Sequence, residues 1–471
     1  MRDQNIRPTA ETYNSMLTLL SRFGQHEAMY AIFTDMVAAG VEPDLETYNL
    51  LLYSSRFSDL EPYVIIARME AAGVEPNGLT YENLIHHSIQ DWNLEMSLRQ
   101  VDEMRARGIQ PTLPTVQRVI ALATTYDYAR LALDLAHIYE EQSFRRLSPE
   151  SWMQMLASCA ELHWIEGVEQ CWTKGVVEGL VSPDEGICID VLNVAARAGR
   201  PNLATDVIAT LRKIGVVFRE YHLAPVLEAF MNAGNLTEAI TTLSLMRQNT
   251  IAPNEHTTEP IFRHISQNVD EVDKAYYVLE ELKSAGKVID VSALNVVIRA
   301  SVELGDLQRA VATYKESEKL GVVPTRDTYY YLLDACIQAK HYALGEKLFE
   351  HMTKAGIKPD PAGLERMLVL SLTQPTYEEA FYYLEELKTK MSEVPARVYE
   401  AIIRKCVVSF DPRWKIAAEE MQQLGYTLSS GLLRFIAGGD EATEEQQPSA
   451  EEFEQAPSGS EQQRPPLDGP F

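Results

Sequence analysis

Few residues of this 471-residue chain are placed to make or break a bond. The sequence has no phosphate-cradling Gly-rich loop, no His-Glu-x-x-His and no Gly-x-Ser-x-Gly. It also lacks the His-x-Glu with Pro-Cys-x-x-Cys of a zinc deaminase. His86 and His87 are adjacent, so on a helix they diverge by about 100° and do not face one metal ion. Cys159, Cys171, Cys188, Cys336 and Cys406 are scattered, and none forms a Cys-x-x-Cys. Neither a disulfide framework nor a zinc site is indicated; small buried residues between helices are expected. Acidic residues are plentiful but form no fixed cluster. The reading is a binding protein without catalytic residues, metal or cofactor. What recurs instead are short phrases in which polar residues such as Asn14, Asp44, Asn49 and Asn77 return.

The elements that must position those residues repeat. Gly40-Val41-Glu42-Pro43-Asp44 leads directly to Thr47-Tyr48-Asn49. The phrase returns as Gly73-Val74-Glu75-Pro76-Asn77 with Thr80-Tyr81, as Gly108-Ile109-Gln110-Pro111-Thr112, as Gly321-Val322-Val323-Pro324-Thr325, and as Gly356-Ile357-Lys358-Pro359-Asp360. A Gly followed three residues later by Pro stops a helix: Gly accepts the left-handed conformation, and Pro cannot continue the helix. Pro8, Pro43, Pro76, Pro111, Pro149 and Pro183 stand 35, 33, 35, 38 and 34 residues apart. Pro253 and Pro324 follow at 70 and 71, then Pro359 and Pro395 at 35 and 36. A fixed period of this size marks a repeat array.

Within residues 10–44, Tyr13, Met16, Leu17 and Leu20 share one helical face, with Thr12 as a start signal. After Phe23-Gly24-Gln25, a second stripe is read as Ala28, Ala31, Ile32, Met36 and Val37. The unit is an antiparallel helix pair that cannot bury both faces alone, so neighbouring pairs must stack. The expected fold is all-α: a right-handed α-solenoid of about twelve helix-turn-helix repeats. They begin near residues 10, 45, 78, 113, 149, 185, 220, 255, 291, 326, 361 and 396.

The Trp/Leu-Gly/Tyr pattern of the tetratricopeptide repeat is absent. The chain instead resembles the pentatricopeptide repeat (PPR) family, whose unit carries Thr-Tyr-Asn early in its first helix and Met-x-x-x-Gly-Ile/Val-x-Pro-Asp at its end. Thr12-Tyr13-Asn14 with Met36…Gly40-Val41-Glu42-Pro43-Asp44 carries the resemblance, as does Met352…Gly356-Ile357-Lys358-Pro359-Asp360. It extends over residues 10–432. Repeats one to three, nine and ten match well, and the middle and last are degenerate.

The resemblance implies a single-stranded RNA-binding factor of organellar RNA metabolism, acting in stability, processing, splicing or translation. It implies mitochondria, or alternatively plastids. In that family the fifth residue of a repeat and its last residue read a base together. Position by position, this gives Asn14 with Asp44, Asn49 with Asn77, and Asn295 with Thr325. Asn and Asp present defined donors and acceptors to a base edge. Elsewhere Glu82, Gln117, Met153, Ile189, Glu259, Tyr330, Glu365 and Glu400 hold the fifth position. The second position, aliphatic in the family, is Glu11, Glu46 and Asp327 in repeats one, two and ten. Arg22, Arg56 and Arg197, near first-helix ends, are the candidates for phosphate contact.

Charge pulls the other way. The chain carries −26, and residues 438–471 account for −8 of it, leaving −18 on the remainder. Phosphate binders usually show a basic stripe, and none is concentrated here. The alternative expectation is therefore a protein scaffold that reads no bases, for example a subunit of an organellar ribonucleoprotein such as the mitochondrial ribosome. Tyr329-Tyr330-Tyr331 and Tyr382-Tyr383 are expected in the core and between repeats. No apolar run reaches the length of a membrane span. Residues 1–9 read as the end of a preceding repeat whose first helix lies upstream, with Asn5 at the usual Gly position. Residues 438–471, rich in Glu, Gln, Pro and Ser, read as a disordered acidic tail.

Overall fold

The computed structural model describes residues 8–23, 25–55, 62–143 and 145–438. Most of the expected N-terminal remnant and acidic tail lies outside them. Every regular element among the described residues is helical. They fall into two compact units, which meet in sequence between Val217 and Phe218.

Each unit is a stack of six helix pairs. In the N-terminal unit the first helices are Ala10–Arg22, Leu45–Ser55, Gly78–Gln90, Leu113–Thr125, Pro149–Glu161 and Glu185–Arg197. Their partners are His26–Ala38, Pro62–Ala71, Leu94–Ala106, Ala129–Gln142, Ile165–Cys171 (continued by a π-helical turn, Trp172–Val177) and Pro201–Ile214. In the C-terminal unit the first helices are Glu220–Asn232, Glu255–Ile265, Val291–Glu303, Arg326–Gln338, Pro361–Leu372 and Ala396–Val408. Their partners are Leu236–Gln248, Val269–Ser284, Leu307–Lys315 with Ser317–Leu320, Tyr342–Lys354, Glu378–Lys390 and Trp414–Gln423. A last helix, Ser430–Ala437, follows. Within each unit, first helices pack on first helices of the next repeat more extensively than second helices do on second helices.

The punctuation works as its residues dictate. Gly40 has φ +71°, and around it Val41 N–H bonds the Met36 carbonyl and Gly40 N–H bonds the Val37 carbonyl. That is the Schellman closure of a helix end, which needs a left-handed residue. The residue after the Pro then caps the next first helix. Asp44 accepts from Thr47 N–H at 2.9 Å, Asn77 from Thr80 N–H at 3.1 Å and Asp360 from Gly363 N–H at 3.0 Å. The first described helix also opens on a residue of this kind. Its N-cap is Thr9, and Thr12, expected as the start signal, is the third helical residue that closes the capping box.

In the N-terminal unit one aliphatic side chain per repeat forms the spine of the core. Leu17, Leu52, Ile85, Ile120, Leu156 and Leu192 recur eight residues into their repeats and are at most 1% exposed. Full burial of such a side chain is worth about 1.5–3 kcal/mol. The partner stripe on His26–Ala38 is Met29, Phe33 and Met36, while Val37 is 52% exposed. Of the expected stripe Ala28, Ala31, Ile32, Met36 and Val37, Met36 is buried as expected, but the rest of the stripe is turned, because burying Met29 and Phe33 removes more apolar surface than burying two alanines. All five cysteines are buried, as expected. Of the tyrosine runs, Tyr329 and Tyr330 are buried but Tyr382 is 68% exposed, against expectation.

Gly167, on Ile165–Cys171, stands at a close contact with the N-cap Trp164 and with Cys159 of the preceding helix. A Cβ there would stand 2.3 Å from Trp164 Cε3 and 2.8 Å from Cys159 Sγ. Gly167→Ala should therefore lose about 1–3 kcal/mol to overpacking, despite the better helix propensity of Ala. Urea unfolding measures this, and a variant as stable as the parent would mean that the Trp164 ring moves aside freely.

Candidate nucleic-acid interface

The fifth residue of each repeat lies on its first helix, one turn beyond the cap. The last residue of the repeat is the cap of the following first helix. Stacking first helix on first helix therefore brings the two together. Asn14 Nδ2 donates to Asp44 Oδ1 at 3.0 Å and Oδ2 at 3.2 Å. It also reaches Glu46 Oε2 at 3.4 Å, so the acidic second position of repeat two joins the same cluster. Asn49 Nδ2 donates to Asn77 Oδ1 at 3.3 Å. Asn295 and Thr325 do not bond directly; Thr328 stands between them, at 2.6 Å from Asn295 Oδ1 and 3.4 Å from Thr325 Oγ1.

That intermediary is general, and it is the residue missed in sequence. Thr47 Oγ1 donates to Asn14 Oδ1 at 2.7 Å and lies 2.9 Å from Asp44 Oδ1. Thr80 Oγ1 donates to Asn49 Oδ1 at 2.8 Å and lies 3.0 Å from Asn77 Oδ1. The Thr of the Thr47-Tyr48, Thr80-Tyr81 and Thr328-Tyr329 pairs thus latches its repeat to the Asn of the preceding one. Its recurrence directly before a Tyr, three residues after the cap, is the signal the sequence offers. The latch also fixes the amide orientation: Asp44 only accepts, so Nδ2 must face it and Oδ1 must face the hydroxyl.

The latched pairs differ in what they show to solvent. Asn14, Asn49 and Asn295 are 4%, 6% and 8% exposed, whereas Asp44 is exposed and Asn77 and Thr325 are half-buried. Desolvation would raise the Asp44 carboxyl, but hydrogen bonds from Thr47 N–H, Asn14 and the Thr47 hydroxyl outweigh it and hold the pKa below the usual value. Asp44 therefore stays a charged acceptor. On Asn77, Oδ1 is occupied, and among the described residues no acceptor is bonded to Nδ2.

In the C-terminal unit several acidic residues of the first helices are paired within the fold. Glu365, at a fifth position, is held by Arg397 through Nε–Oε1 at 2.5 Å and Nη2–Oε2 at 3.0 Å. Glu259 pairs with Arg299 at 3.2 Å and Asp334 with Arg366 at 2.8 Å. Arg366 also lies 4.8 Å over the Tyr330 ring, and the Tyr330 hydroxyl donates to the cap Asp360. Desolvation would raise Asp360 too, but Tyr330, the Gly363 N–H and Arg326 together keep it below its usual range. Of the phosphate candidates, Arg22 and Arg197 are exposed in the last turns of their first helices. Arg56 lies outside the described residues.

Stacked helix pairs that latch the fifth residue of one repeat to the cap of the next define a helical-repeat protein with a periodic polar face. Family comparison is specific about which kind. Four matches to pentatricopeptide repeat profiles together cover more than half of the chain. They are described as "Pentatricopeptide repeat-containing protein" over residues 185–317, "PPR repeat family" over 3–54, "Pentatricopeptide repeat domain" over 64–122 and "PPR repeat" over 327–357. The chain belongs to the pentatricopeptide repeat family.

A mitochondrial pentatricopeptide repeat-containing protein of Arabidopsis thaliana is 24% identical over 249 residues, which is 49% of this chain and 39% of the relative. A chloroplastic one from the same plant is 27% identical over 128 residues, 27% of this chain and 16% of the relative. The chain thus spans well under two thirds of the relatives it matches. Among solved structures, the pentatricopeptide repeat protein PPR10 from maize aligns over 93% of this chain and 62% of its own, at 19% identity and a TM-score of 0.37. Its complex with an 18-nt psaJ RNA element aligns over 92% and 62%, at 20% identity and a TM-score of 0.36.

Proposed function

We propose that this chain is a single-stranded RNA-binding protein of an organelle, not an enzyme, and that it acts in RNA stability, processing, splicing or translation. One observation carries the reading: two consecutive repeats present the same latched pair, Asn14–Asp44 and Asn49–Asn77, with a buried amide behind an accessible cap. The chemistry of each cap matches a different edge. The Asp44 carboxylate suits the N3–H of uracil, whereas the Asn77 amide can donate to the N3 of cytosine or the O2 of either pyrimidine. Asn295 with Thr325 is a weaker third reader, and Arg22 and Arg197, with Arg56, supply phosphate contacts. The mitochondrial and chloroplastic relatives support an organelle, and mitochondria are proposed first.

Selection of random single-stranded RNA at low and physiological salt tests this. Enrichment of a pyrimidine-containing motif is expected. Asp44→Asn then tests the reader itself. Asn is an equally good N-cap, and Asn77 shows that it accepts the same latch. The melting temperature should hold, while the preference at the facing nucleotide moves from uracil towards cytosine by about tenfold. Equal binding of uracil and cytosine RNAs before and after the change would remove Asp44 as a reader.

A second reading, a scaffold within a ribonucleoprotein, is favoured by the Glu259–Arg299 and Glu365–Arg397 pairs, which occupy the fifth positions of repeats eight and eleven. Absence of RNA retention even at low salt, where phosphate contacts are strongest, would decide for it.

A further inference from the structure

The turn between the two helices of a repeat reverses the chain through one left-handed residue. In repeats six, seven and nine that residue is Gly199, Gly234 or Gly305. In repeat three it is Trp92, at φ 53°, and in repeat four Asp127, at φ 59°. A bulky side chain in this conformation is strained, and burial does not offset the strain, because Trp92 is 60% exposed.

The next turn adds to the indole. Tyr126 and Tyr128, on either side of Asp127, are 43% and 57% exposed. The Tyr126 hydroxyl donates to the Trp92 carbonyl at 2.6 Å, which holds the two turns side by side. Asp91 and Asp127, next to these rings, are exposed; Asp91 lies 2.9 Å from His87 Nδ1. One repeat further, the Arg130 guanidinium lies 5.2 Å over the Trp164 ring, so this edge already seats a guanidinium on an indole. Among the described residues no cation lies over Trp92, Tyr126 or Tyr128.

We propose that this turn edge docks an arginine- and lysine-rich segment of a partner protein. Aromatic faces attract a guanidinium or ammonium through their quadrupole, and Asp91 and Asp127 supply the charge to match it. The same two carboxylates, on a chain of net charge −26, repel a phosphate backbone. A cationic peptide therefore suits the edge better than RNA does. The proposal does not depend on the RNA-binding reading, since it uses neither the latched pairs nor the arginines of that face.

The test uses the full chain and a fluorescein-labelled peptide of alternating arginine and glycine, with an all-glutamate peptide as control. Trp92→Gly removes the indole and relieves the left-handed strain, so the variant keeps its fold, as circular dichroism and the melting temperature will verify. Fluorescence anisotropy at low salt should show binding of the cationic peptide and not of the acidic one. Trp92→Gly with Tyr128→Ala should weaken it by about tenfold or more, and Asp127→Lys should weaken it similarly. Three results would overturn the proposal: no binding of the peptide at low salt, unchanged affinity in both variants, or a loss of RNA binding in the variants while peptide binding persists.

Discussion

Replacing Thr47 with Val should lower the stability of the N-terminal repeats by about 2 kcal/mol, although the change is nearly isosteric and leaves no cavity. The Thr47 hydroxyl is fully buried, donates to Asn14 Oδ1 at 2.7 Å and stands 2.9 Å from Asp44 Oδ1. Val leaves Asn14 Oδ1 buried without a donor, and an unmet buried polar group costs about 1–3 kcal/mol. The loss should be specific to the pair. With Asn14 already changed to Leu, Thr47→Val should cost far less, because the acceptor is gone. Chemical unfolding of the four proteins of this cycle gives the coupling. An additive cycle would mean that the latch is incidental. The cycle also cautions against Asn14→Ala as a pure test of base reading, since it unlatches two repeats.

Arg397→Ala should be still more costly, at about 3 kcal/mol. The Glu365 side chain is 11% exposed and both its oxygens are held by the Arg397 guanidinium. Removing the arginine strands a carboxylate in the first-helix layer, and breaking a buried pair from one side costs about 3–5 kcal/mol. Glu365→Gln in the same background should recover most of it by removing the charge. Thermal unfolding of the single and double variants checks both claims. A mild single variant would show that water reaches Glu365 easily.

The helix pairs were legible because their punctuation is chemical: a left-handed turn selects Gly, and a stop selects Pro. Asn14, Asp44, Asn49 and Asn77 could be placed for the same reason, since each stands at a set distance from a Gly-Pro phrase. Their bonding partners could not. Thr47 and Thr80 look like helix starters, and only the stacking of first helices turns their hydroxyls towards the preceding repeat. The arginines of the C-terminal unit were less visible still. Glu365 meets Arg397 across 32 residues, whereas Glu259 meets Arg299 across 40, so no single spacing flags them. Trp92 was illegible because nothing local marks a tryptophan for a conformation that Gly takes in repeats six, seven and nine and that Asp127, His163, Lys340 and Phe410 take in others.

The residue that opens each first helix has a second consequence. Asp44, Asn77, Thr112, Ser148, Asp184, Asn254, Asp290, Thr325 and Asp360 all come from the short set of side chains that can cap a helix. In the proposed RNA-binding reading, Asp44 and Asn77 are also the side chains that meet a base, so each does two jobs. On that reading, mutation can respell such a repeat at small energetic cost only within Ser, Thr, Asn and Asp. Arg219 and Pro395 step outside that alphabet, and a repeat entering on either has given up the vocabulary as well as the cap.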